Sequence, residues 1–164
     1  KEKLEAELKV LKTQIKPHFL FNSLNNIYSL ALDKSDDTAN VVLQLSDLMR
    51  YILYDCNEKL VDINKELDFS RNYINLHKIR LDENTPINFI VNGHFDGHKI
   101  APLLFEPLIE NSYDPNWNNS KKGSGGIGIK NVIRRLELIY PQKHKIDIDK
   151  GEKVFKITLT IGLS

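Results

Sequence analysis

The chain has 164 residues, of which 41% are apolar and 27% charged, a composition that is typical of an ordinary folded protein and does not indicate disorder. Its 23 Lys and Arg residues balance 22 Asp and Glu residues, so no overall charge favours a nucleic acid or an anionic membrane surface, and we expect no nucleic-acid partner. The single cysteine, Cys56, cannot form an internal disulfide, which favours a reducing compartment. No apolar run approaches the roughly 18 residues that a membrane span needs.

Residues 1–54 carry the pattern of two long helices joined by a polar turn. The first helix should end near Leu32, and Ser35 or Asp36 is expected to cap the second. The second helix, over residues 38–54, has two apolar stripes, and so wide a face is best buried by a second copy of the chain in an intermolecular four-helix bundle. We therefore predict a homodimer. A coiled-coil-like seam at the start of the first helix consists of Leu4, Leu8, Leu11 and Ile15.

A third helix and a strand are predicted in the middle of the chain. The helix should run over residues 64–81, with Asp62 or Asn64 as its cap. Apolar and polar residues alternate over 87–91 and predict a half-buried strand that stops at Gly93.

The last third of the chain combines a glycine-rich stretch with helices and a hairpin. Pro102 is well placed at a helix start and opens an apolar segment that ends at Asn111. Glycines over 123–128 lead into an amphipathic helix over 129–139. A glycine loop that enters a helix offers backbone N–H groups to phosphate oxygens, although glycines more often only form turns. Residues 146–161 predict a closing β-hairpin.

Pro17 and His18 interrupt the pattern of the first helix. A proline within a helix removes a backbone hydrogen bond and costs about 3 kcal/mol or more, so another benefit must favour it. A kink at Pro17 would loosen the turn around Thr13 and present the His18 imidazole outward, as a nucleophile requires. The residues expected to bury on either side are Phe19, Leu20, Phe21 and Leu24.

The run over residues 14–27 closely resembles the phospho-acceptor box of bacterial sensor histidine kinases of the autolysin-regulator type. The resemblance implies that His18 accepts a phosphoryl group. Asn22, one helical turn further, would orient the imidazole or a water that removes the phosphate, and an interhelical hydrogen bond in the dimer is an equal alternative. Phe19 stands where many other histidine kinases have an acid, so no adjacent general base is evident.

Two later segments resemble the nucleotide-binding boxes of the same kinases. Residues 102–111 look like the box whose terminal asparagine helps to hold magnesium, and residues 126–140 look like the second glycine box with its helix. The resemblance implies Asn111 as the Mg²⁺ ligand, with Glu110 orienting Asn111 or a metal-bound water. Without the resemblance, both would be interpreted as a polar helix end. The other residues implied in ATP binding are Gly125, Gly126, Gly128, Lys130 and Asn131.

Three basic side chains of this last helix also have structural interpretations. Lys130 would neutralise phosphate charge, although a solvated helical lysine explains it nearly as well. Arg134 and Arg135 are interpreted as residues of the helix surface or of a domain interface.

By this resemblance the fold class is α+β. Residues 1–59 would form the dimerisation and histidine-phosphotransfer hairpin, and residues 60–164 would form an α/β two-layer sandwich of the GHKL ATP-binding type. The implied function is that of an autophosphorylating protein-histidine kinase of a two-component system, with ATP and Mg²⁺ as cofactors and a response-regulator receiver domain as its phosphate acceptor. An upstream sensor or transmembrane domain of the same protein would place the chain on the cytoplasmic side of a bacterial membrane.

The chain departs from the family between Asn111 and Gly123. This stretch has no strand pattern, whereas the family has two central sheet strands and an adenine-reading residue there. Either the protein contains a segment that this sequence omits, or the sheet lacks its central strands and the ATP site is impaired. We favour the first explanation, because a deletion would expose strand edges and apolar helix faces. An intact mass well above 18.9 kDa would support it, and an equal mass would refute it.

The alternative function, from another class, is a catalytically degenerate dimeric signalling module that relays conformation and does not bind ATP.

Overall fold

The computed structural model describes two compact units, one formed by residues 15–97 and the other including residues 98–164. The described elements mix helices with short strands, which confirms the predicted α+β class at that level. The four-helix bundle and the two-layer sandwich stay predictions. The described residues are 17–79, 86–112, 127–151 and 154–163.

The first unit is built on helices α1, α2 and α3, which span Pro17–Leu32, Thr38–Leu53 and Ile63–Lys78. A 3₁₀ turn at Asp55–Asn57 and a short strand β1 at Val61–Asp62 connect α2 to α3. The ends of α1 and α2 agree with the prediction. Helix α3 begins one residue earlier and ends three residues earlier than predicted.

The two helix starts differ in their side-chain caps. At α3, Asp62 Oδ1 accepts a hydrogen bond from the Asn64 backbone N–H at 2.8 Å, which confirms the predicted cap. At α2 the prediction is wrong, because Asp37 occupies the N-cap position and makes no side-chain capping bond. The Ser35 hydroxyl, instead of capping the helix, accepts from the Asp37 backbone N–H at 3.3 Å within the preceding turn. Asp36, the other predicted cap, also precedes the N-cap position.

Aromatic and aliphatic side chains from all three helices form the core of this unit, with α2 packed against both α1 and α3. The predicted burial around His18 is only partly correct. Phe19 is 4% exposed and Leu20 is half-buried, but Phe21 and Leu24 are 66% and 53% exposed. They lie on the side of α1 that the core does not cover. The main buried residues of the helices are Phe19, Val41, Leu45, Leu48, Tyr51, Leu67, Phe69, Tyr73, Ile74 and Leu76.

A buried hydrogen bond joins α2 to α3. The Tyr51 hydroxyl donates to a carboxylate oxygen of Glu66, and both side chains are almost completely buried. Tyr51 also lies against the Phe69 ring, with the ring centroids 4.8 Å apart. Burial, together with the negative charge of Glu66, raises the pKa of Tyr51 far above its usual range. The phenol therefore stays protonated and keeps donating to the carboxylate.

We expect Tyr51→Phe to lower the free energy of unfolding by about 1–3 kcal/mol, because it removes a donor from a buried carboxylate. The wild type should also lose stability as the pH rises above about 10, since Tyr51 then ionises in the unfolded chain but not in the folded one. Tyr51→Phe should not show this loss of stability at alkaline pH, because phenylalanine has no ionisable group. Urea unfolding at neutral and alkaline pH measures both effects, with Tyr54→Phe as control because Tyr54 is 72% exposed. Equal stability of the two variants at neutral pH would contradict the prediction.

Helix α3 belongs to the same compact unit as α1 and α2. The compact units are defined by contacts within one chain, and they do not test the domain boundary that the family resemblance implies between residues 59 and 60. That boundary stays a prediction.

The strand predicted over residues 87–91 is not formed. Its side chains alternate between half-buried and exposed, as the pattern requires, but the segment has no ladder with any described strand. An alternating pattern predicts which side chains face a surface, whereas a strand also needs a neighbour for its backbone hydrogen bonds.

The second unit contains strand β2 at Lys99–Ile100, helix α4 at Glu106–Ser112, helix α5 at Ile127–Ile139, and strands β3 and β4 at His144–Lys150 and Phe155–Ile161. Strands β3 and β4 pair antiparallel over their full lengths, which confirms the predicted hairpin. Their side chains alternate between half-buried and exposed, as in a sheet with one covered face.

Helix α4 begins four residues after Pro102, so this proline does not start the helix as predicted. Leu103 has φ 54°, a left-handed conformation that an α-helix cannot include and that is uncommon for a residue with a side chain. Pro107 instead occupies the second helical position, where its missing N–H costs nothing. Among the described helices, none is long and apolar enough to cross a bilayer.

Candidate functional site

His18 lies at the start of α1 with its imidazole exposed. Its neighbour Phe19 is anchored in the core, stacked on Tyr73 with ring centroids 4.4 Å apart and 5.0 Å from the His77 ring. Successive helical residues point about 100° apart, so the burial of Phe19 turns His18 away from the core. A packed helix therefore presents this imidazole to solvent, where a large substrate can reach it.

Asn22 contacts the imidazole of His18 from one turn along α1. Its Nδ2 lies 2.9 Å from Nδ1 and 3.2 Å from Nε2 of His18. A neutral imidazole has one unprotonated nitrogen, so the amide donates to one ring nitrogen at a time. The structure thus brings together the two residues that the sequence singled out on this helix. The contact restrains the ring without burying it.

Asn111, at the end of α4, lies directly against Gly128 of α5. A Cβ atom added at Gly128 would be 2.5 Å from Asn111 Nδ2, closer than non-bonded atoms approach each other. The same Nδ2 donates to the Pro107 carbonyl at 2.5 Å. Because the amide nitrogen is held within α4, Oδ1 is the atom of Asn111 suited to bind a cation. The structure therefore brings together two of the residues predicted to bind the nucleotide.

The other predicted nucleotide residues differ in their placement. Glu110 and Asn131 are half-buried, and Lys130 is exposed. Gly125 and Gly126 lie outside the described residues.

Two further predictions also fall outside the described residues. They are the seam formed by Leu4, Leu8, Leu11 and Ile15, and the loosened turn around Thr13.

The described residues of the second unit include one oxygen, Asn111 Oδ1, that is chemically able to bind the predicted magnesium ion. In the described ranges there is no group of three or more His, Cys, Asp or Glu side chains that could hold a metal ion. Mg²⁺ does not require one, because it usually takes one or two protein oxygens together with phosphates and waters. Asn111 Oδ1 fits that role chemically as an oxygen ligand.

Two side chains that the sequence does not mark as part of the site, Arg135 and Tyr140, support this region. Arg135 is 4% exposed, so its interpretation as a helix-surface residue is wrong, whereas its interpretation as a domain-interface residue stays a prediction. Its guanidinium donates to the Leu103 carbonyl at 2.9 Å and to the Pro102 carbonyl. The Tyr140 hydroxyl accepts from the Ala101 backbone N–H at 2.8 Å.

A signal for the burial of Arg135 is present in the sequence. It follows Val132 by three residues and directly precedes Leu136, and both are buried members of the apolar stripe of α5. Residues three apart share a helix face, so Arg135 lies on the side that packs. Its charge favoured the opposite interpretation.

Comparisons with known proteins point to one family. The family model for histidine kinases matches residues 6–85. Over 120 residues, or 73% of this chain, the sequence is 32% identical to the sensor histidine kinase/phosphatase LytS of Staphylococcus aureus strain MRSA252, and LytS of strains Mu50 and N315 gives the same values. The chain spans only 20% of the length of these relatives. No solved structure matches it.

The family match includes the helix that carries both His18 and Asn22. The chain is thus similar to histidine kinases over residues 6–85, and to the sensor histidine kinase/phosphatase LytS over 120 residues.

Proposed function

We propose that this chain is the kinase part of a two-component sensor, with His18 as its phospho-acceptor. The observation that carries the proposal is the exposed His18 imidazole next to the anchored Phe19, within the segment that matches histidine kinases. An upstream sensor or transmembrane domain of the same protein would place this part on the cytoplasmic side of a membrane.

In the proposed reaction, an unprotonated ring nitrogen of His18 attacks the γ-phosphoryl group of ATP in line. The N–P bond forms as the bond to the bridging oxygen breaks, and ADP leaves. Rotation of the Asn22 amide would let its Oδ1 accept from the protonated ring nitrogen and leave the other nitrogen free to attack. The phosphoryl group then passes to an aspartate of a response-regulator receiver domain.

Asn22 has a second role in this proposal. The curated relatives are named as kinase/phosphatase proteins, and an amide beside the phosphorylated ring is also placed to orient a water for dephosphorylation. Asn22 is therefore the residue at which both rates should be measured.

ATP would bind to the second unit, at the contact between Asn111 and the start of α5. Asn111 Oδ1 would hold Mg²⁺ on the phosphates, and Glu110 would orient Asn111 or a water. Backbone N–H groups at a helix N-terminus suit phosphate oxygens. The remaining residues proposed for the nucleotide are Gly125, Gly126, Gly128, Lys130 and Asn131.

The test is incubation of the purified protein with γ-labelled ATP and Mg²⁺, followed by acid treatment. Acid-labile label that requires Mg²⁺ is the expected result, because phosphohistidine hydrolyses in acid. A protein that binds ATP but gains only acid-stable label would contradict a histidine acceptor.

A homodimer is the proposed assembly, because α1 carries an exposed apolar stripe on the side away from the core. Its members follow one another at intervals of three or four residues, so they share one helix face. A continuous exposed apolar surface marks an interaction site, and a second copy of α1 and α2 would cover it. The stripe consists of Phe21, Leu24, Tyr28 and Leu32, which are 66%, 53%, 67% and 65% exposed.

We expect Leu24→Glu to convert the dimer into a monomer, because the change places a charge in the middle of the stripe. Light scattering after gel filtration measures the mass in solution. Asn75→Glu is the control, since Asn75 is exposed on α3, outside the stripe and outside the two helices of the proposed bundle, and should leave the dimer intact. A monomeric wild type at the same concentration would refute the proposed assembly.

One observation favours the alternative of a degenerate signalling module. The sequence between Asn111 and Gly123 has no strand pattern, and the described sheet that follows has only the two strands β3 and β4. This alternative predicts no Mg²⁺-dependent ATP binding, even by the full-length protein.

A further inference from the structure

Arg135 of α5 and Tyr140, which directly follows that helix, hold three consecutive residues ahead of α4. The Arg135 guanidinium donates to the carbonyls of Pro102 and Leu103, and the Tyr140 hydroxyl accepts from the Ala101 N–H. All five of these residues, the two that hold and the three that are held, are at most 8% exposed, so water does not compete for these hydrogen bonds. Arg135 and Tyr140 therefore fix the backbone at the entrance to α4.

The held backbone has a conformation that needs support. Leu103 lies at φ 54°, a left-handed conformation that is strained for a residue with a side chain and persists only where the surroundings hold it. The planar guanidinium has several N–H donors in a rigid fork, so one arginine can bridge two successive carbonyls. Lysine carries the same charge but does not offer this fork.

The other end of α4 also meets α5. Asn111 lies so close to Gly128 that a Cβ atom there would displace its amide. Helix α4 spans only Glu106–Ser112, so a shift at its entrance moves the whole helix and Asn111 with it. The contact of Asn111 with Gly128 therefore depends on the backbone that Arg135 holds.

We propose that Arg135, together with Tyr140, is a positioning residue for the nucleotide site: the two side chains hold residues 101–103 and so set the place of Asn111 beside Gly128. The inference rests on the proposed function in one respect, namely that Asn111 is the residue that binds Mg²⁺ with ATP. Arg135 itself touches neither group and acts through α4.

The first experiment measures the position of Asn111 without any nucleotide. The side-chain amide of Asn111 gives an NMR signal that is assigned by its loss in Asn111→Ala. Arg135→Lys should shift or broaden that signal, because the fork across the two carbonyls is lost. Arg134→Lys is the matched control, since Arg134 is the neighbouring residue, is 51% exposed and lies 3.7 Å from Glu137 on the surface. An unmoved Asn111 signal in folded Arg135→Lys would overturn the inference.

The second experiment measures Mg²⁺-dependent ATP binding as the Mg²⁺ concentration is varied. Arg135→Lys should raise the half-saturating Mg²⁺ concentration by roughly 10- to 100-fold, as changes to residues that orient a metal ligand commonly do. Arg134→Lys should leave it unchanged. In the Asn111→Ala background, Arg135→Lys should add little, because residues that act through one another are not additive. Independent, multiplicative effects would overturn the inference.

Folding of each variant is checked by its thermal midpoint. If Arg135→Lys does not fold, Tyr140→Phe gives the same test with a smaller change, because it removes only the hydroxyl that accepts from Ala101. A shifted Asn111 signal in Tyr140→Phe supports the inference, and an unshifted one overturns it. A wild type that shows no ATP binding refutes the proposed function, whereas the NMR comparison still decides whether Arg135 positions Asn111.

Discussion

His18→Gln is expected to reduce Mg²⁺-dependent labelling from ATP to background while the protein stays folded. Glutamine cannot accept the phosphoryl group, and the exposed position of His18 means that the free energy of unfolding should change by no more than about 0.5 kcal/mol. The measurement is acid-labile label per mole of protein, together with urea unfolding of the same preparation.

His94→Gln is the matched control for this change, because His94 is an exposed histidine that lies outside the candidate site. Its labelling should equal that of the wild type. Label that persists in His18→Gln would assign the acceptor to another residue. If His18→Gln loses both its label and its fold, Asn22→Ala is the second variant to measure, because it disturbs the same imidazole. It should change the rate of phosphorylation or dephosphorylation while the protein stays folded.

Gly128→Ala should lower Mg²⁺-dependent labelling by roughly 10- to 100-fold with little loss of stability. The new Cβ would lie 2.5 Å from Asn111 Nδ2, so the Asn111 amide must leave its place against Pro107. Alanine is otherwise favoured over glycine in a helix by up to about 1 kcal/mol, which opposes any destabilisation. A variant that is as stable as the wild type but poorly active is the expected signature.

Glu137→Ala on the exposed face of α5 is the control for Gly128→Ala, since Glu137 is 54% exposed and should leave labelling unchanged. Combination with Asn111→Ala shows whether the effect passes through Asn111. If Gly128→Ala lowers activity equally with and without Asn111, the close contact is not the cause. Full activity of Gly128→Ala would remove Asn111 from the proposed site.

The sequence alone predicted the helices well where the apolar pattern was long. Helices α1 and α2 end where the period of the apolar residues ends, because a helix in a small core is stabilised by the face that it buries. The hairpin of β3 and β4 was predicted for the same reason, since its alternation is regular on both strands. The role expected of His18 came from the resemblance of residues 14–27 to the phospho-acceptor box of sensor histidine kinases.

The prediction failed where a neighbour decided the outcome. Residues 87–91 have the alternation of a strand but no described strand beside them. The N-cap position of α2 is occupied by Asp37 and not by Ser35 or Asp36, because the backbone conformation of the preceding turn determines where the helix begins. Boundaries of this kind depend on contacts that a local pattern does not contain.

The sequence by itself determined which residues are chemically able to carry the proposed reaction: an imidazole and an amide one helical turn apart, and an asparagine and a glycine in two separate segments. Only the tertiary structure decided which of them meet. It buried Phe19 and left Phe21 exposed, placed Asn111 against Gly128, and buried Arg135 on the turn at Leu103. The physical reason is that the burial of a side chain and its close contacts depend on the helix or strand that packs against it. A charged side chain can be part of a core when backbone carbonyls accept hydrogen bonds from its donors.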